Sequence, residues 1–322
     1  MMFKRVLLLV ALLVGVLVVT GLMVGRSNPI TVEPVSAYSF IEPSVPSSED
    51  IRLSVMVTAT VEVPEAIMVE GGSWQITRQM GHSAVLVCHQ EALLMFDTGL
   101  GRDIDAQFEN MPFLPRMMMS YEMIAPAVEQ LDRELFCPGR PLQIMLSHLH
   151  WDHASAIEDF PDVPVWVPAS ELAGGRASGN ENGYLISQFD DPAIDWRMLV
   201  FQETGYQNYR RNLDVFGDGR VVMVPMLGHT DGSMGMFVDM GEGQRFFFTG
   251  DISWSLDGFE RPAHKSAMMR SMADGDIDGV EREIQRVHAL MQHDPDLTVI
   301  PAHDYQAYPD GVIWPDWLGD GE

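Results

Sequence analysis

A chain of 322 residues with 46% apolar side chains can bury the core of one large domain or two small ones, and its composition is not that of a disordered segment. Its formal charge of −26, with Lys4 and Lys265 as the only lysines, argues against a nucleic-acid partner, because phosphate binding needs a basic footprint.

The first element in chain order is apolar. Lys4 and Arg5 precede an uncharged run from Val6 to Val24, long enough to cross a bilayer as a helix. Residues 1–24 therefore predict one N-terminal transmembrane helix, with the basic end in the cytoplasm and the domain on the periplasmic or extracellular face. A cleaved signal peptide, giving a secreted protein, is the rival reading. Its apolar core is usually shorter, and the small-residue site "VSAY" lies far downstream, at 35–38. Residues 25–50 are rich in Pro, Ser and Glu and predict a linker that holds the domain off the membrane.

Residues 51–322 read as the globular domain. Short β-branched or apolar runs such as "LSVMVTATVEV", "LQIML", "VPVWV", "RVVMVPM" and "LTVIPAH" predict strands. Two helical patterns lie between such runs. One spans 279–293, with Val280, Ile284, Val287 and Met291 on one stripe; the other spans 123–135, with Pro126 near its first turn. Strands interspersed with helices imply an α/β architecture with layered sheets. Cys88, inside the apolar run "SAVLVC", is expected as a buried free thiol; a disulfide with Cys137, the only other cysteine, is the alternative in an exported protein.

Ligand-type residues collect where strands end. "LQIMLS" leads into His148, "VVMVPMLG" into His229, "RFFFTG" into Asp251 and "LTVIPA" into His303. The first of these opens "SHLHWDH", which adds His150, Asp152 and His153. Scattered surface histidines would show no such pattern. Five imidazoles and two carboxylates suit zinc, and also iron, manganese or cobalt. Seven ligands exceed one tetrahedral site with an open position, so two metal ions sharing a bridge are expected. His148 and His150 alternate along an extended segment and point the same way, while Asp152 and His153, past a turn, can reach a second ion. His82, His89, His264, His288 and His293 read as surface or otherwise satisfied histidines; His264 stands out only because it follows the Asp251 loop. Methionines cluster at 115–123 and 266–272, either as flexible core filler or as an adaptable apolar wall for a greasy substrate.

These motifs resemble, in order, those of the metallo-β-lactamase superfamily. "HLHWDH" resembles its HxHxDH motif, "LGHTDGS" its next histidine motif, "FTGD" its bridging aspartate and "IPAHD" its last histidine; "LLMFDTGLG" resembles its early Asp-Thr-Gly strand end. The resemblance runs from about residue 60 to 305 and implies a four-layer αββα sandwich with two metals at one edge. By position, it implies that His148, His150 and His229 bind the first ion and Asp152, His153 and His303 the second. Asp251 would bridge them together with a water or hydroxide, and Asp97 would orient the ligand loop. The implied reaction is metal-assisted hydrolysis, with a bridging hydroxide attacking a carbonyl, Asp251 at the bridge and Asp152 assisting proton transfer.

Within the superfamily, Asp251 disfavours a true β-lactamase. The nuclease branches need a basic surface, and a persulfide-oxidising relative would use one iron with fewer ligands. Glyoxalase II-like thioesterases carry a further helical region after the last histidine. The layout of "SHLHWDHASAIEDFPDVPVWVPASE" is most similar to the acyl-homoserine-lactonase-like branch. There the residue three after the bridging aspartate is a tyrosine; here it is Trp254, which has no phenol, and Tyr305 reads as a half-buried packing residue or as its substitute. The expected substrate is a lactone or carboxylic ester bearing an apolar group. A thioester, a β-lactam-like substrate and a non-enzymatic, membrane-tethered metal-binding scaffold are the alternatives.

Overall fold

The computed structural model describes residues 30–42 and 51–319. The segment expected to form a membrane anchor, Val6–Val24, lies outside them, and among the described residues no helix is long and apolar enough to cross a membrane.

Two sheets face each other. The first holds β1 (Arg52–Pro64), β2 (Thr77–Cys88), β3 (Leu93–Phe96), β4 (Glu122–Met123), β5 (Leu142–Met145), β6 (Val165–Pro168) and β7 (Trp196–Leu199), in the order β4-β1-β2-β3-β5-β6-β7. The second holds β8 (Leu213–Asp214), β9 (Val221–Pro225), β10 (Met234–Gly241), β11 (Gln244–Phe248) and β12 (Leu297–Ile300), in the order β12-β11-β10-β9-β8. Both are mixed: β3, β5, β6 and β7 run parallel, as do β11 and β12.

The period-2 alternation of the strands sorts their side chains into three cores. Leu53, Val55 and Val57 of β1 meet Met223 of β9 and Met234 and Met236 of β10 between the sheets. Met56, Leu86 and Ile144 face outward from the first sheet and are covered by Phe136, Leu172 and Phe189. Val222, Val224, Phe237 and Phe247 face outward from the second. They are covered by the longest helix, one of three used below: α1 (Ala169–Ser178), α2 (Ala267–Ala273) and α3 (Ile277–His293). The stripe read from the sequence is the buried face of α3, with Val280, Ile284 and Val287 at 0% exposure and Met291 at its edge. The result is the αββα sandwich.

Three segments differ from their sequence reading. The pattern at 123–135 does not form one helix. Met123 pairs in β4, and two single turns follow, Ala127–Gln130 and Arg133–Phe136. Pro126 starts the first turn, Leu131 is extended, and the Asp132 side chain caps the second by accepting from the Leu135 amide. Cys88 is not a free thiol, because the end of β2 and the second of these turns bring it to Cys137, and the two form a disulfide. Part of the expected linker lies against the domain: Ile30 is buried, Ile41 pairs with Gln207, and Phe40 stacks on His293.

Candidate metal centre

All seven ligand-type residues converge at one edge of the sandwich, each at 7% exposure or less. Strand direction explains this, since the C-terminal ends of β5, β9, β11 and β12 all open on that edge; β9 runs the same way as β11 because both are antiparallel to β10. β5 delivers the 148–153 loop, β9 delivers His229, β11 delivers Asp251 and β12 delivers His303.

Asp97 braces the loop after β5. It holds a left-handed backbone (φ 59°) directly after β3. Its carboxylate accepts from the Ser147 amide (2.6 Å) and the Ser147 hydroxyl (2.8 Å), and lies 2.9 Å from His153 Nδ1. Thr98 next to it donates its hydroxyl to the His153 carbonyl at 2.7 Å. The role expected for Asp97, orienting the ligand loop, is what its contacts describe.

A second brace was not legible in the sequence. Glu171 of α1 is fully buried and accepts from the Leu149 amide (2.8 Å), the Gly232 amide (3.0 Å), the Thr230 hydroxyl (2.6 Å) and the Tyr184 hydroxyl (3.2 Å). It thereby ties the His148–His150 loop to the His229 loop. Gly183 closes over His150, where an added Cβ would lie 2.9 Å from the imidazole.

A third brace uses the domain's single lysine. Lys265, at 0% exposure, donates to the backbone carbonyls of Asp251 and Ile252 and pairs with Asp274 at 2.8 Å. Asp274 in turn receives His229 Nδ1 at 2.7 Å. Burial alone would raise the Asp274 pKa; Lys265 and His229 outweigh it and hold the carboxyl below its usual range. His264, the neighbour singled out in the sequence, points instead toward Glu281 at 3.4 Å. His89, His288 and His293 are satisfied by Asp218, the Phe259 carbonyl and Glu42 respectively. His82 departs from its reading, since it sits in the site with Nδ1 3.1 Å from Asp152 Oδ2.

Asp251 lies at the middle. Its Oδ2 accepts from Trp254 Nε1 at 2.8 Å and lies 3.1 Å from His303 Nε2; its Oδ1 lies 3.2 Å from His153 Nε2. The indole that stands in the tyrosine position is therefore committed to the aspartate. Tyr305 is half-buried against Tyr308 and packs with the inter-sheet core, so its packing reading holds.

The donor chemistry fits metal ions. The Ser147 hydroxyl gives its proton to Asp97, so it must accept one from His148 Nδ1. His229 Nδ1 gives its proton to Asp274. Both imidazoles then present lone pairs at Nε2, and these nitrogens face each other at 3.1 Å. A cation between them converts that repulsion into ligation. His153 Nε2 and Asp251 Oδ1, buried and 3.2 Å apart, make no well-aligned hydrogen bond. Three groups of donors lie mutually within 4.8 Å: His148, His150 and His229; His82, Asp152 and His303; and His148, His153 and Asp251.

Charge separates these groups. Burial, reinforced by the neighbouring imidazoles, holds His148 and His150 well below the ordinary histidine pKa; burial and Lys265 lower His229. Burial also acts to lower His153 and His303, but Asp97, Asp251 and Asp152 overcome it for His153, and Asp251 and Asp152 for His303, so both are raised.

Above the donors opens a cleft of about 300 Å³. His150, Asp152, His229, Asp251 and His303 form its floor, and Met80, Met118, Met119, Met268, Met269 and Met272 contribute to its walls. Both methionine clusters thus reach the site, although Met117 is 68% exposed and does not line it.

The family model described as Metallo-beta-lactamase superfamily matches residues 77–303. The N-acyl homoserine lactonase AttM of Rhizobium radiobacter is 28% identical over 190 residues, which cover 56% of this chain and 65% of that protein. This chain therefore spans just under two thirds of the length of that relative. The "Probable metallo-hydrolase Rv2300c" of Mycobacterium tuberculosis is 26% identical over 249 residues, covering 69% of this chain and 76% of that one. A solved N-acyl homoserine lactone hydrolase, with the product N-hexanoyl-L-homoserine at its catalytic metal centre, aligns with a TM-score of 0.64. The alignment covers 84% of this chain and 100% of that one at 16% identity, a likeness of fold.

Proposed function

The chain belongs to the metallo-beta-lactamase superfamily, and from that premise we propose that it is a dinuclear metal-dependent hydrolase of lactones or carboxylic esters bearing an apolar group. The observation that carries this reading is the facing pair of lone pairs on His148 and His229 beside a second, carboxylate-rich group around Asp251. In this reading His148, His150 and His229 hold one ion, Asp152, His153 and His303 the other, and Asp251 is shared. Bound there, two ions, zinc first and iron, manganese or cobalt as alternatives, acidify water and polarise a carbonyl.

The chain's own residues supply the rest. Trp254 fixes one oxygen of Asp251, so the shared carboxylate keeps one orientation. Asp152 lines the cleft floor between His82 and His303 and is placed to pass a proton to a leaving alkoxide. The cleft has no lysine or arginine among its lining residues, which disfavours a multiply charged phosphate. Its methionines favour an apolar substituent beside the carbonyl. The lactonase names among the relatives support a lactone.

The location is part of the same reading. Residues 1–24 serve as a membrane anchor, residues 25–50 follow it, and the hydrolase domain from residue 51 lies outside the cytoplasm. The Cys88–Cys137 disulfide supports an oxidising compartment. Recovery in the membrane fraction after an alkaline carbonate wash is the expected result.

The test of the chemistry is a screen of the zinc-loaded full chain, with elemental analysis. Zinc should approach two per chain. Activity on lactones or esters should rise with acyl length by at most about fourfold per methylene, the equivalent of ~0.8 kcal/mol. Met118→Ala with Met119→Ala should flatten that dependence without changing metal content. Phosphodiesters or β-lactams proving far better substrates than any ester or lactone would overturn this reading of the cleft.

A further inference from the structure

His82 has no counterpart in the seven-residue set, yet the fold places it against the second half of that set. It lies on β2 where the pairing with β1 slips between Val57 and Ala59. The extra residue there, Thr58, donates its hydroxyl to the His82 carbonyl at 2.8 Å. The preceding residue, Gly81, donates its amide to the His303 carbonyl (3.2 Å) and receives His303 Nδ1 at its own carbonyl (2.8 Å). His82 and His303 are thus carried on segments bonded to each other, with ring centroids 5.2 Å apart.

Asp152 Oδ2 lies between them, 3.1 Å from His82 Nδ1 and 3.3 Å from His303 Nε2. Zinc–ligand bonds of 2.0–2.1 Å in a tetrahedron give ligand-to-ligand edges of about 3.3–3.4 Å. The first-ion imidazoles His148 and His229 show a similar spacing, 3.1 Å. His153 fits the second group less well. Its Nε2 is 3.9 Å from Asp152 Oδ1, and it groups instead with His148 and Asp251. His82 is 4% exposed, and its Nε2 has no hydrogen-bond partner, so no second hydrogen bond of the ring fixes its orientation.

We propose that His82 is an eighth residue of the metal centre, ligating the second ion through Nδ1 beside Asp152 and His303. His153 stays with the second ion, on the side it shares with Asp251, 3.2 Å away. This rests on the dinuclear reading above. One more neutral nitrogen donor would hold the second ion more tightly and leave it fewer open positions, assigning substrate capture chiefly to the first.

The test uses the full chain loaded with zinc. An anomalous-difference map of its crystals should place His82 Nδ1 within about 2.2 Å of the second ion. A separation beyond about 3 Å, with Nδ1 hydrogen-bonded to Asp152, overturns the proposal. In chelator competition, His82→Ala and His82→Gln should each weaken the second zinc equivalent by more than about 100-fold, beyond the usual loss of a mere orienting partner. The first equivalent should stay unchanged, which also reports that the variants fold. A second equivalent bound as tightly as in the unsubstituted protein overturns the ligand role. Wild-type protein that takes up one zinc or none defeats the dinuclear reading itself; two zinc ions with His82 unbound defeat only this inference.

Discussion

His148, His150 and His229 are buried as deeply as His153 and His303, yet their protonation goes the opposite way. For the first three, burial, with the neighbouring imidazoles and Lys265, outweighs the upward pull of Asp251, Asp152 and Asp274, so their pKa values are lowered. The other two face Asp152 and Asp251, with Asp97 added for His153, and the carboxylates win. One half of the centre is a set of lone pairs already aimed inward. The other pairs carboxylates with imidazoles of raised pKa, His153 with Asp251 and His303 with Asp152 and Asp251. The difference teaches that burial alone does not prepare a ligand; what it is buried with decides.

The strongest way to break the distinction is to remove the group both halves use. Asp251→Ala should lower kcat by at least roughly 100–1000-fold, the scale of losing one key stabilising group, and bring zinc below two per chain by elemental analysis. Next is the brace under the neutral half. Glu171→Ala strands four buried donors, and should cost about 3–5 kcal/mol in urea denaturation. The variant should weaken the first zinc equivalent more than the second.

Reduction of Cys88–Cys137 acts on the Asp97 brace, because Asp97 lies within the 49-residue separation of the two cysteines. Chain entropy sets its contribution at about 4 kcal/mol or less. Hydrogen exchange should quicken around 97–101 and not around Glu171.

The mildest effect is on protons. His153 and His303 have raised pKa values, so at pH 7 the second equivalent of zinc should release about one to two protons and the first close to none. Second-site affinity should therefore climb with pH, while first-site affinity stays nearly flat above about pH 6.5. The sign for folding follows. In ion-free protein, the unfolded chain takes up protons below about pH 6.5 that His148, His150 and His229 refuse, so these three cost stability as pH falls. His153 and His303 contribute stability that is fully present below that pH and is lost as pH rises through their folded values.

The ligand loops were readable because each motif directly follows an apolar run, and strand direction brings such ends to one edge. The stripe of α3 was readable for a similar reason: one face, one period. Apart from Asp97, the supports were not. Glu171 sits on an ordinary helix, and Asp274 and His82 each stand alone in unremarkable stretches; only folding brings them to their partners. Lys265 does carry a signal, as the single lysine of the domain, but its place next to His264 does not say which of the two faces the site. Cys88 reads as a free thiol because hydrophobic context says a cysteine is buried and says nothing of what it is buried against. At 123–135 the helical period was real, but Pro126 and the Asp132 cap cut it into single turns.

Ile30, buried under the second sheet's helix layer, has a consequence for reach. With Val6–Val24 held in a bilayer, as proposed, five residues, 25–29, separate that run from Ile30 in the sequence. Five residues extend at most about 18 Å. The domain would then ride close above the lipid surface, with little freedom to swing away, and would search that surface in two dimensions. Greasy molecules already concentrated in the lipid would meet the methionine-walled cleft far more often than dilute ones in the surrounding water.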